Sequence, residues 1–211
     1  MKIRRAVADD VAAMLSLKAE LRFEATEDRS TRGGFLLGSS EAGYRQKIRD
    51  GIAWVLEDRD LHGFAIALPD AAFKRSTLWA SRHEVDGTVS IAAFEAMALG
   101  YFDQLAVRPG ASRRYSAALA LTAMMDLMES GADAMVTATV VEPVVNLAAV
   151  PFVERMGGTC VGRLRETDPH VGVLVSDIWV VPRAGFEAWM EHAPGLGARW
   201  IRTLARQSLA A

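Results

Sequence analysis

The sequence predicts an α/β protein in which one mixed sheet is covered by helices on both faces. Two observations predict this class. Short apolar strands alternate with amphipathic helices along the chain, and residues 52–69 form two strand patterns around a charged turn, as in a hairpin. No repeat or linker divides the 211 residues. We therefore expect one domain, with a core at 1–181 and a helical extension at 182–211.

The first half of the chain contains apolar residues at both helical and strand spacing. Residues 2–7 predict a short strand, and residues 8–25 predict a helix with acidic residues in its first turn and apolar residues on one broad face. Serine, threonine and glycine punctuate residues 27–39, which predicts a loop, and residues 40–51 predict a second helix. The hairpin follows, whereas residues 70–96 have no clear periodicity.

The second half contains a strand–helix–strand unit at 98–107, 112–130 and 134–143. Such a unit predicts two parallel strands joined by a right-handed crossover. The remaining elements are a helix, two strands and two terminal helical segments, predicted at 145–158, 159–166, 171–182 and in the tail. This order of elements implies a sheet that contains both parallel and antiparallel pairs.

Composition and charge exclude several classes of function. The formal net charge is −2, so nothing indicates a general attraction to nucleic acid or anionic membranes. The single cysteine excludes an intrachain disulfide framework and a cysteine-rich metal site. Charges interrupt the N-terminus where a signal peptide needs apolar residues, and no segment approaches the roughly 20 apolar residues of a membrane span. We expect a cytoplasmic protein.

A strand, a short arginine-bearing loop and a helix follow one another in the stretch LAVRPGASRRYSAALALTAMM at 105–125. The first N–H groups of such a helix have no intrahelical partner, and the helix dipole adds partial positive charge there. A pyrophosphate fits this end. Arg113 and Arg114 add fixed charge, and the small residues at 116–118 allow close approach to the backbone. An ordinary strand-to-helix connection is the alternative interpretation.

Two motifs resemble those of the GNAT acyltransferase superfamily. Residues 105–109 followed by Arg113-x-x-Ser116-x-Ala118 and an apolar helix resemble its acyl-CoA-binding signature, V-x-P and then Q/R-x-x-G-x-G/A. The stretch NLAAVPFVERMGG resembles its N-x-x-A-x-x-x-Y-E-x-x-G-F, with Asn146 and Glu154 in register. The opening strand and helix also look like those of the family, so the resemblance covers most of residues 1–165.

The resemblance implies a GNAT-like mixed, mostly antiparallel sheet that is splayed between its fourth and fifth strands. Acyl-CoA, acetyl-CoA or another, would be the co-substrate, and no metal would be needed. Pantetheine would lie in the opening, and the thioester carbonyl would lie near the backbone N–H of Leu105. The donor-binding residues would be Leu105, Ala106, Val107, Arg113, Arg114, Tyr115, Ser116, Ala117, Ala118, Asn146 and Phe152.

Three positions depart from the family pattern. Ser116 stands where the first glycine of the loop is expected, so a Cβ occupies the place where backbone should approach phosphate. Val153 stands where many members carry a tyrosine that protonates the departing thiolate, and valine cannot donate a proton. Gly158 replaces the closing aromatic residue. The role of the acid must therefore be filled elsewhere or be unnecessary.

Acyl transfer to an amine with a pKa of about 10.4 needs a base at neutral pH. Some amine-acetylating members place paired histidines on the strand before the V-x-P, and the matching positions here are Tyr101 and Asp103. These residues alternate by two and share one strand face. Asp103 is a candidate base, Tyr101 a candidate acid and Glu142 a second candidate base. Their alternatives are a loop-capping carboxylate, a packed tyrosine and an exposed strand end.

These observations predict a CoA-dependent N-acyltransferase that acts on a small-molecule amine by direct attack. A non-catalytic acyl-CoA-binding domain of the same fold is the alternative, and Val153 and Ser116 favour it. Transfer to or from a protein carrier is a third reading, which an apolar segment at 35–37 permits. The acceptor pocket would be built by residues 24–40 and 70–97. The terminal helix would pack on the domain or form a homodimer contact.

Overall fold

Strands and helices alternate along the chain as the sequence predicts. The computed structural model describes residues 1–21, 29–30, 39–89, 91–147, 149–168 and 172–211. Its strands are β1 (Lys2–Arg5), β2 (Arg29–Ser30), β3 (Ile52–Glu57), β4 (Leu61–Leu68), β5 (Leu99–Val107), β6 (Ala134–Glu142), β7 (Val145–Asn146), β8 (Thr159–Asp168) and β9 (Gly172–Pro182). Its helices are α1 (Val11–Glu20), α2 (Glu41–Asp50), α3 (Asp70–Phe73), α4 (Thr77–Ala80), α5 (Arg113–Glu129), α6 (Val150–Arg155), α7 (Arg183–His192) and α8 (Leu196–Leu209).

Seven strands form the main sheet, in the order β1-β3-β4-β5-β6-β9-β8. The pair β5–β6 is parallel and the other neighbouring pairs in this sheet are antiparallel. The hairpin predicted at 52–69 is confirmed as β3 and β4, and α5 connects the parallel strands β5 and β6. The mixed, mostly antiparallel sheet is therefore confirmed.

The sheet opens between β5 and β6, the fourth and fifth strands across it. Their pairing begins at Leu99 with Ala134 and ends at Phe102 with Thr137. At this last pair the Thr137 hydroxyl donates a hydrogen bond of 3.0 Å to the Phe102 carbonyl. Both strands continue beyond it, to Val107 and Glu142, without further pairing to each other. The predicted splay between the fourth and fifth strands is confirmed.

Two bulges change which side chains face each side of the sheet near this opening. In the β4–β5 pair, Ala67 opposes Phe102 and Ile66 opposes Gln104, so Asp103 is the extra residue. In the β6–β9 pair, Val140 opposes Ser176 and Glu142 opposes Val175, so Val141 is the extra residue. A bulge reverses the alternation of the residues that follow it.

Helices cover both faces of the sheet. The face of α5 holds a core that includes residues of α5, α7 and α8, with Val153 of α6 in it. The opposite face holds a second core formed with α1, α2, α3 and α4. Positions 118–128 of α5 are all buried, because the sheet lies on one side of this helix and α8 on the other.

The C-terminal helices pack on the domain. Ala205 and Ser208 of α8 are buried, and Trp200 meets Tyr115 of α5 edge-on, with ring centroids 5.3 Å apart. Arg183 of α7 donates hydrogen bonds to the carbonyls of Met128 and Ala132, at 2.6 and 2.5 Å. These contacts fix both helices to α5 and the loop that follows it.

The helix predicted at 145–158 is wrong at its start. Val145–Asn146 form β7, which pairs in parallel with β2, and the helix covers Val150–Arg155 alone. Pro151 explains the difference. Proline lacks an N–H group and suits the first turn of a helix, so the helix begins beside it rather than running through it. The unassigned residues 70–96 hold α3, α4 and two short 3-10 turns.

Within the described ranges, no helix has both the length and the apolar character needed to cross a membrane.

Candidate active site

A cavity of about 560 Å³ lies where β5 and β6 separate, on the face of α2. Tyr101, Asp103 and Gln104 of β5 and Ala138 and Val140 of β6 form its inner wall. The other walls come from α2, the segment 72–78, β8 and β9. Part of the predicted acceptor segment 70–97 therefore lines the cavity.

The bulge at Asp103 connects β5 to α2 through a polar network. Lys47 Nζ donates to Asp103 Oδ2 at 2.6 Å and to Ser39 Oγ at 2.9 Å. Gln104 Nε2 donates to the same Ser39 oxygen at 3.3 Å, and Gln104 Oε1 accepts a hydrogen bond of 3.0 Å from the Tyr44 hydroxyl. The side chain of Asp103 is 14% exposed and that of Lys47 is 23% exposed. Both side chains of this ion pair are therefore poorly hydrated, and Ser39 also binds the Lys47 nitrogen.

Tyr101 lies on the same wall as Asp103, as the alternation predicted. Its ring stacks on Phe73, with centroids 5.0 Å apart. Among the described residues its hydroxyl has no hydrogen-bond partner. Burial raises the pKa of the Tyr101 hydroxyl well above its ordinary value, and the charges of Asp103 and Glu166 act in the same direction. The hydroxyl is consequently protonated at neutral pH and available to donate.

Glu166 is a second acidic group on the cavity wall. It lies on β8 opposite Leu174 of β9. Burial raises the pKa of its carboxyl group, and the charge of Glu84 adds to the effect. Among the described cavity side chains, two are cationic and four are anionic, namely Lys47, Arg75, Asp50, Asp103, Glu166 and Asp168. The cavity wall therefore carries a formal excess of negative charge, which favours a cationic ligand.

Glu142, the other candidate base, lies apart from Asp103 and Tyr101 and does not line the cavity. Alternation by two would place it beside Val140, but the bulge at Val141 turns it to the opposite face. There its side chain is 56% exposed and lies 3.8 Å from Arg165. The geometry favours the exposed strand end that was the alternative for this residue.

The predicted thioester position, at the Leu105 N–H, lies on the part of β5 that pairs with β4 but not with β6. Leu105 opposes Ala65, which belongs to the core on the α5 face, and 36% of Leu105 is exposed. Ala106 faces the other core and is buried, and Val107 is half-buried. The backbone from 103 to 107 therefore borders the opening on the β6 side, where an extended ligand has room to pair with it.

The loop before α5 is fixed by an ion pair to α1, whose residues are not part of the predicted donor site. Gly110 has a φ of +89°, in the left-handed region that favours glycine. The guanidinium of Arg108 binds the Glu20 carboxylate through two hydrogen bonds of 3.0 Å. Arg113 and Arg114 are exposed, and within the described part of the chain neither has an ion-pair partner. Two cations that have no ion-pair partner among the described residues thus lie in the first turn of α5.

Side chains in the first turns of α5 differ in their accessibility. The Ser116 hydroxyl donates a hydrogen bond of 3.0 Å to the Ser112 carbonyl, so it is occupied within the helix. Ala117 is half-buried and Ala118 is buried in the core. Tyr115 packs against Trp200 instead of facing the loop. Backbone N–H groups and the two arginines are therefore what this helix end offers to a phosphate.

The second stretch that resembles the family contributes mainly to packing. Asn146 lies in β7 opposite Ser30. Phe152 packs edge-on against Trp189 of α7, with centroids 6.2 Å apart. Val153 is 3% exposed within the core on the α5 face. No proton donor stands at this position, and Tyr101 lies on the opposite face of the sheet.

Sequence reasoning missed Lys47, Gln104 and Glu166. Lys47 is 56 residues from Asp103, and no local pattern indicates their contact. Gln104 faces the cavity only because of the bulge. The apolar segment predicted at 35–37 and most of the loop 24–40 lie outside the described residues. Within the described ranges, no group of three or more histidine, cysteine, aspartate or glutamate side chains has the arrangement of a metal site.

No family model matches the chain, and no curated protein matches it. Solved structures do. Naa20 of Chaetomium thermophilum with a bisubstrate analogue aligns at a TM-score of 0.60 and 13% identity, over 89% of this chain and 89% of that chain. NAA60 of Arabidopsis thaliana with acetyl-CoA aligns at a TM-score of 0.57 and 14% identity, over 86% of this chain and 98% of that chain. The ribosomal-protein-S18-alanine N-acetyltransferase of Escherichia coli aligns at a TM-score of 0.54 and 14% identity, over 86% of this chain and 92% of that chain. The chain therefore has the GNAT N-acetyltransferase fold.

Proposed function

We propose that this chain is a CoA-dependent N-acyltransferase that transfers an acetyl or other short acyl group to an amine of a small molecule. The observation that carries the proposal is the cavity at the separation of β5 and β6, with Asp103 and Tyr101 on its inner wall. The shared fold with acetyl-CoA-bound N-acetyltransferases supports the same donor here.

The donor occupies the opening from the side of α5. Its pantetheine pairs with the free backbone edge at 103–107, and the thioester carbonyl accepts a hydrogen bond from the Leu105 N–H. The pyrophosphate meets the first N–H groups of α5, and Arg113 and Arg114 supply charge-assisted hydrogen bonds. Support comes from the strand edge that does not pair with β6 and from the absence, among the described residues, of carboxylates bound to these two arginines.

The acceptor amine enters from the cavity. Asp103 takes the proton from its ammonium group, and the neutral nitrogen attacks the thioester carbonyl carbon. The new C–N bond forms, the C–S bond breaks, and the departing thiolate takes a proton from the Tyr101 hydroxyl. The nitrogen releases its second proton to the solvent, and the proton held by Asp103 returns to Tyr101 through the cavity. The position of Tyr101 on the cavity wall with Asp103 supports the role of donor, and burial, which raises the pKa of its hydroxyl, keeps that hydroxyl protonated at neutral pH.

The excess negative charge of the cavity wall supports a cationic acceptor. The structural neighbours include enzymes whose names give peptides or ribosomal proteins as acceptors, such as the NatC complex bound to Gag peptide and CoA. A small-molecule amine is our choice because the described cavity is bounded by α2, β8 and the segment 72–78 on several sides. Peptide amines belong in the same screen.

The first experiment measures thermal unfolding with acetyl-CoA, longer acyl-CoAs, free CoA and ATP. A ligand at 100 times its Kd adds about 2.7 kcal/mol to the free energy of unfolding. We expect acyl-CoAs to raise the melting temperature and ATP to leave it unchanged. An absence of any shift at millimolar CoA would overturn the proposal. An amine screen that detects thiol release then follows.

A non-catalytic acyl-CoA-binding domain is the second candidate, and Val153 favours it because this position cannot donate a proton. Asp103→Ala separates the two. If the chain is an enzyme, this variant should lose thiol release by about a hundredfold or more while it still binds acyl-CoA. Asp60→Asn, in the exposed turn between β3 and β4, is the matched control.

A further inference from the structure

The cavity already contains an alkylammonium group, which is the side chain of Lys47. Its Nζ lies 2.6 Å from Asp103 Oδ2, at the first residue of β5 beyond the last pair with β6. Ser39 Oγ holds the same nitrogen at 2.9 Å. An incoming acceptor must place its own ammonium group against Asp103, so Lys47 occupies the position where a substrate amine would react.

We propose that Lys47 is a self-acylation site: the chain transfers the acyl group of a bound acyl-CoA to its own Lys47. The inference rests on the proposed function, because it uses the same donor site and the same base. It adds a modification site, and it identifies an unbranched primary alkylamine as an acceptor that the cavity can hold.

Self-acylation removes two protons from the Lys47 nitrogen. Lys47 begins as an ammonium group and gives one proton to Asp103, and its neutral nitrogen attacks the thioester carbonyl carbon. The N–C bond forms and the C–S bond breaks. Coenzyme A leaves as a thiol after it takes a proton from the Tyr101 hydroxyl. The proton that Asp103 received then returns to the Tyr101 oxygen through the solvent in the cavity. The net products are an amide at Lys47, free CoA thiol and one proton released from the second N–H.

Acylation changes the charge of the cavity. The amide is neutral, so it cannot form an ion pair with Asp103, and the carboxylate is left to face an external amine. The Ser39 hydroxyl also loses its cationic neighbour. A modified chain should therefore bind a cationic acceptor more readily than an unmodified chain, because its cavity has one positive charge fewer.

The test does not require knowledge of the acceptor. The purified chain is incubated with acetyl-CoA, digested, and analysed by mass spectrometry for acetyl groups on its four lysines, Lys2, Lys18, Lys47 and Lys74. We expect acetylation at Lys47 that saturates with acetyl-CoA. Its first-order rate constant should not depend on protein concentration, because the reaction is intramolecular. Thermal unfolding with acetyl-CoA is measured on the same samples.

The other lysines are internal controls for chemical acetylation. Lys2 is exposed, and burial together with the charge of Lys47 lowers the pKa of Lys18, so spontaneous reaction favours these two over Lys47. Asp103→Asn should slow the reaction at Lys47 by about a hundredfold or more. The double variant Arg113→Glu, Arg114→Glu should slow it by weakening the donor, without any change to the cavity. Lys47→Arg should accept no acetyl group at position 47.

The outcomes separate the two proposals. Saturable modification of Lys47 ahead of Lys2 and Lys18 that requires Asp103 supports the inference. If acetyl-CoA raises the melting temperature but Lys47 stays unmodified, reacts no faster than Lys2, or reacts undiminished in Asp103→Asn, self-acylation is overturned and the donor site remains. If acetyl-CoA produces neither a thermal shift nor acetylation, the proposed function and the inference both fall.

Discussion

Single polar side chains connect elements that are far apart in the sequence. Asp126, in the middle of α5, accepts a hydrogen bond of 2.7 Å from Trp54 Nε1 and forms an ion pair of 2.6 Å with Arg5. The Arg5 guanidinium also lies over the Trp54 ring, 4.6 Å from its centroid. One carboxylate therefore joins α5 to β1 and β3, and its burial is tolerable because its Oδ2 is bound by both a hydrogen-bond donor and a cation.

A second cluster of this kind makes stability depend on pH. Arg4 donates to the carboxylates of Asp10 and Glu57 at 2.6–2.9 Å, and these hydrogen bonds lower the pKa of both acids. Carboxyl groups with lowered folded-state pKa values stabilise the fold above their unfolded values of about 3.9 and 4.3. That stability is lost as the pH falls through the folded values.

We therefore expect the free energy of unfolding to fall as the pH is lowered from about 5 to 3, and Arg4→Met to reduce this slope. Urea denaturation across that range measures it. Arg59→Met is the control, since Arg59 is exposed and has no ion-pair partner within the described ranges. An unchanged slope in Arg4→Met would show that other carboxylates determine the acid sensitivity.

Residue patterns predicted part of the site. The alternation of Tyr101 and Asp103 placed both on the cavity wall, since the bulge begins only at Asp103. Glu142 was predicted from its place at the end of β6, and it does not line the cavity because Val141 forms a second bulge that no residue type predicts. The sequence could not predict the place of Lys47 for a different reason: its contact with Asp103 exists only after α2 has packed on the sheet.

At the scale of elements, the strand β5, the loop with Gly110 and the helix α5 form the predicted donor site as one unit. Their bounds follow the sequence closely because strand, turn and helix signals are each strong there. The helix α6 shows the opposite case. The sequence pattern predicted a longer helix at 145–158, whereas Pro151 sets its start by local sterics.

The first turn of α5 provides a test of how closely backbone must approach phosphate. Ser116→Gly removes the Cβ and should increase affinity for acetyl-CoA by roughly tenfold, about 1.4 kcal/mol. Ser116→Val should decrease it, because a larger side chain stands in the same place. Isothermal titration calorimetry measures each Kd.

Ser116→Ala is the matched control for that series, because it keeps the Cβ and removes the hydroxyl that binds the Ser112 carbonyl. We expect its affinity to equal that of the unchanged chain. A loss in Ser116→Ala as large as that in Ser116→Val would mean that the hydroxyl, not the space beside the backbone, governs donor binding.

At the scale of the whole molecule, α8 completes the core on the α5 face. It packs on α5 and reaches β1, and its Ala205 is 0% exposed. The sequence of this helix is compatible with two roles, packing on the domain or a homodimer contact. Packing on α5 accounts for its buried face, since Ile201, Leu204 and Leu209 also lie against that core.

Ala205→Asp should lower the free energy of unfolding by about 3 kcal/mol or more, because it places a charge in a dry contact between α8 and α5. Gln207→Asp, on the exposed side of the same helix, should change it by less than about 0.5 kcal/mol. Chemical denaturation compares them. Equal stability of the two variants would indicate that α8 does not rest on α5 in solution.

The short parallel pairing of β5 and β6 also divides the chain in order. The four strands on one side of it all come from residues 2–107, and the three on the other side all come from residues 134–182. The seam between these halves is four residue pairs long, and α5 rests on strands of both. The two parts of the sheet are thus two consecutive stretches of polypeptide, and the pairing of β2 with β7 and the contact of α8 with β1 also join them across this seam.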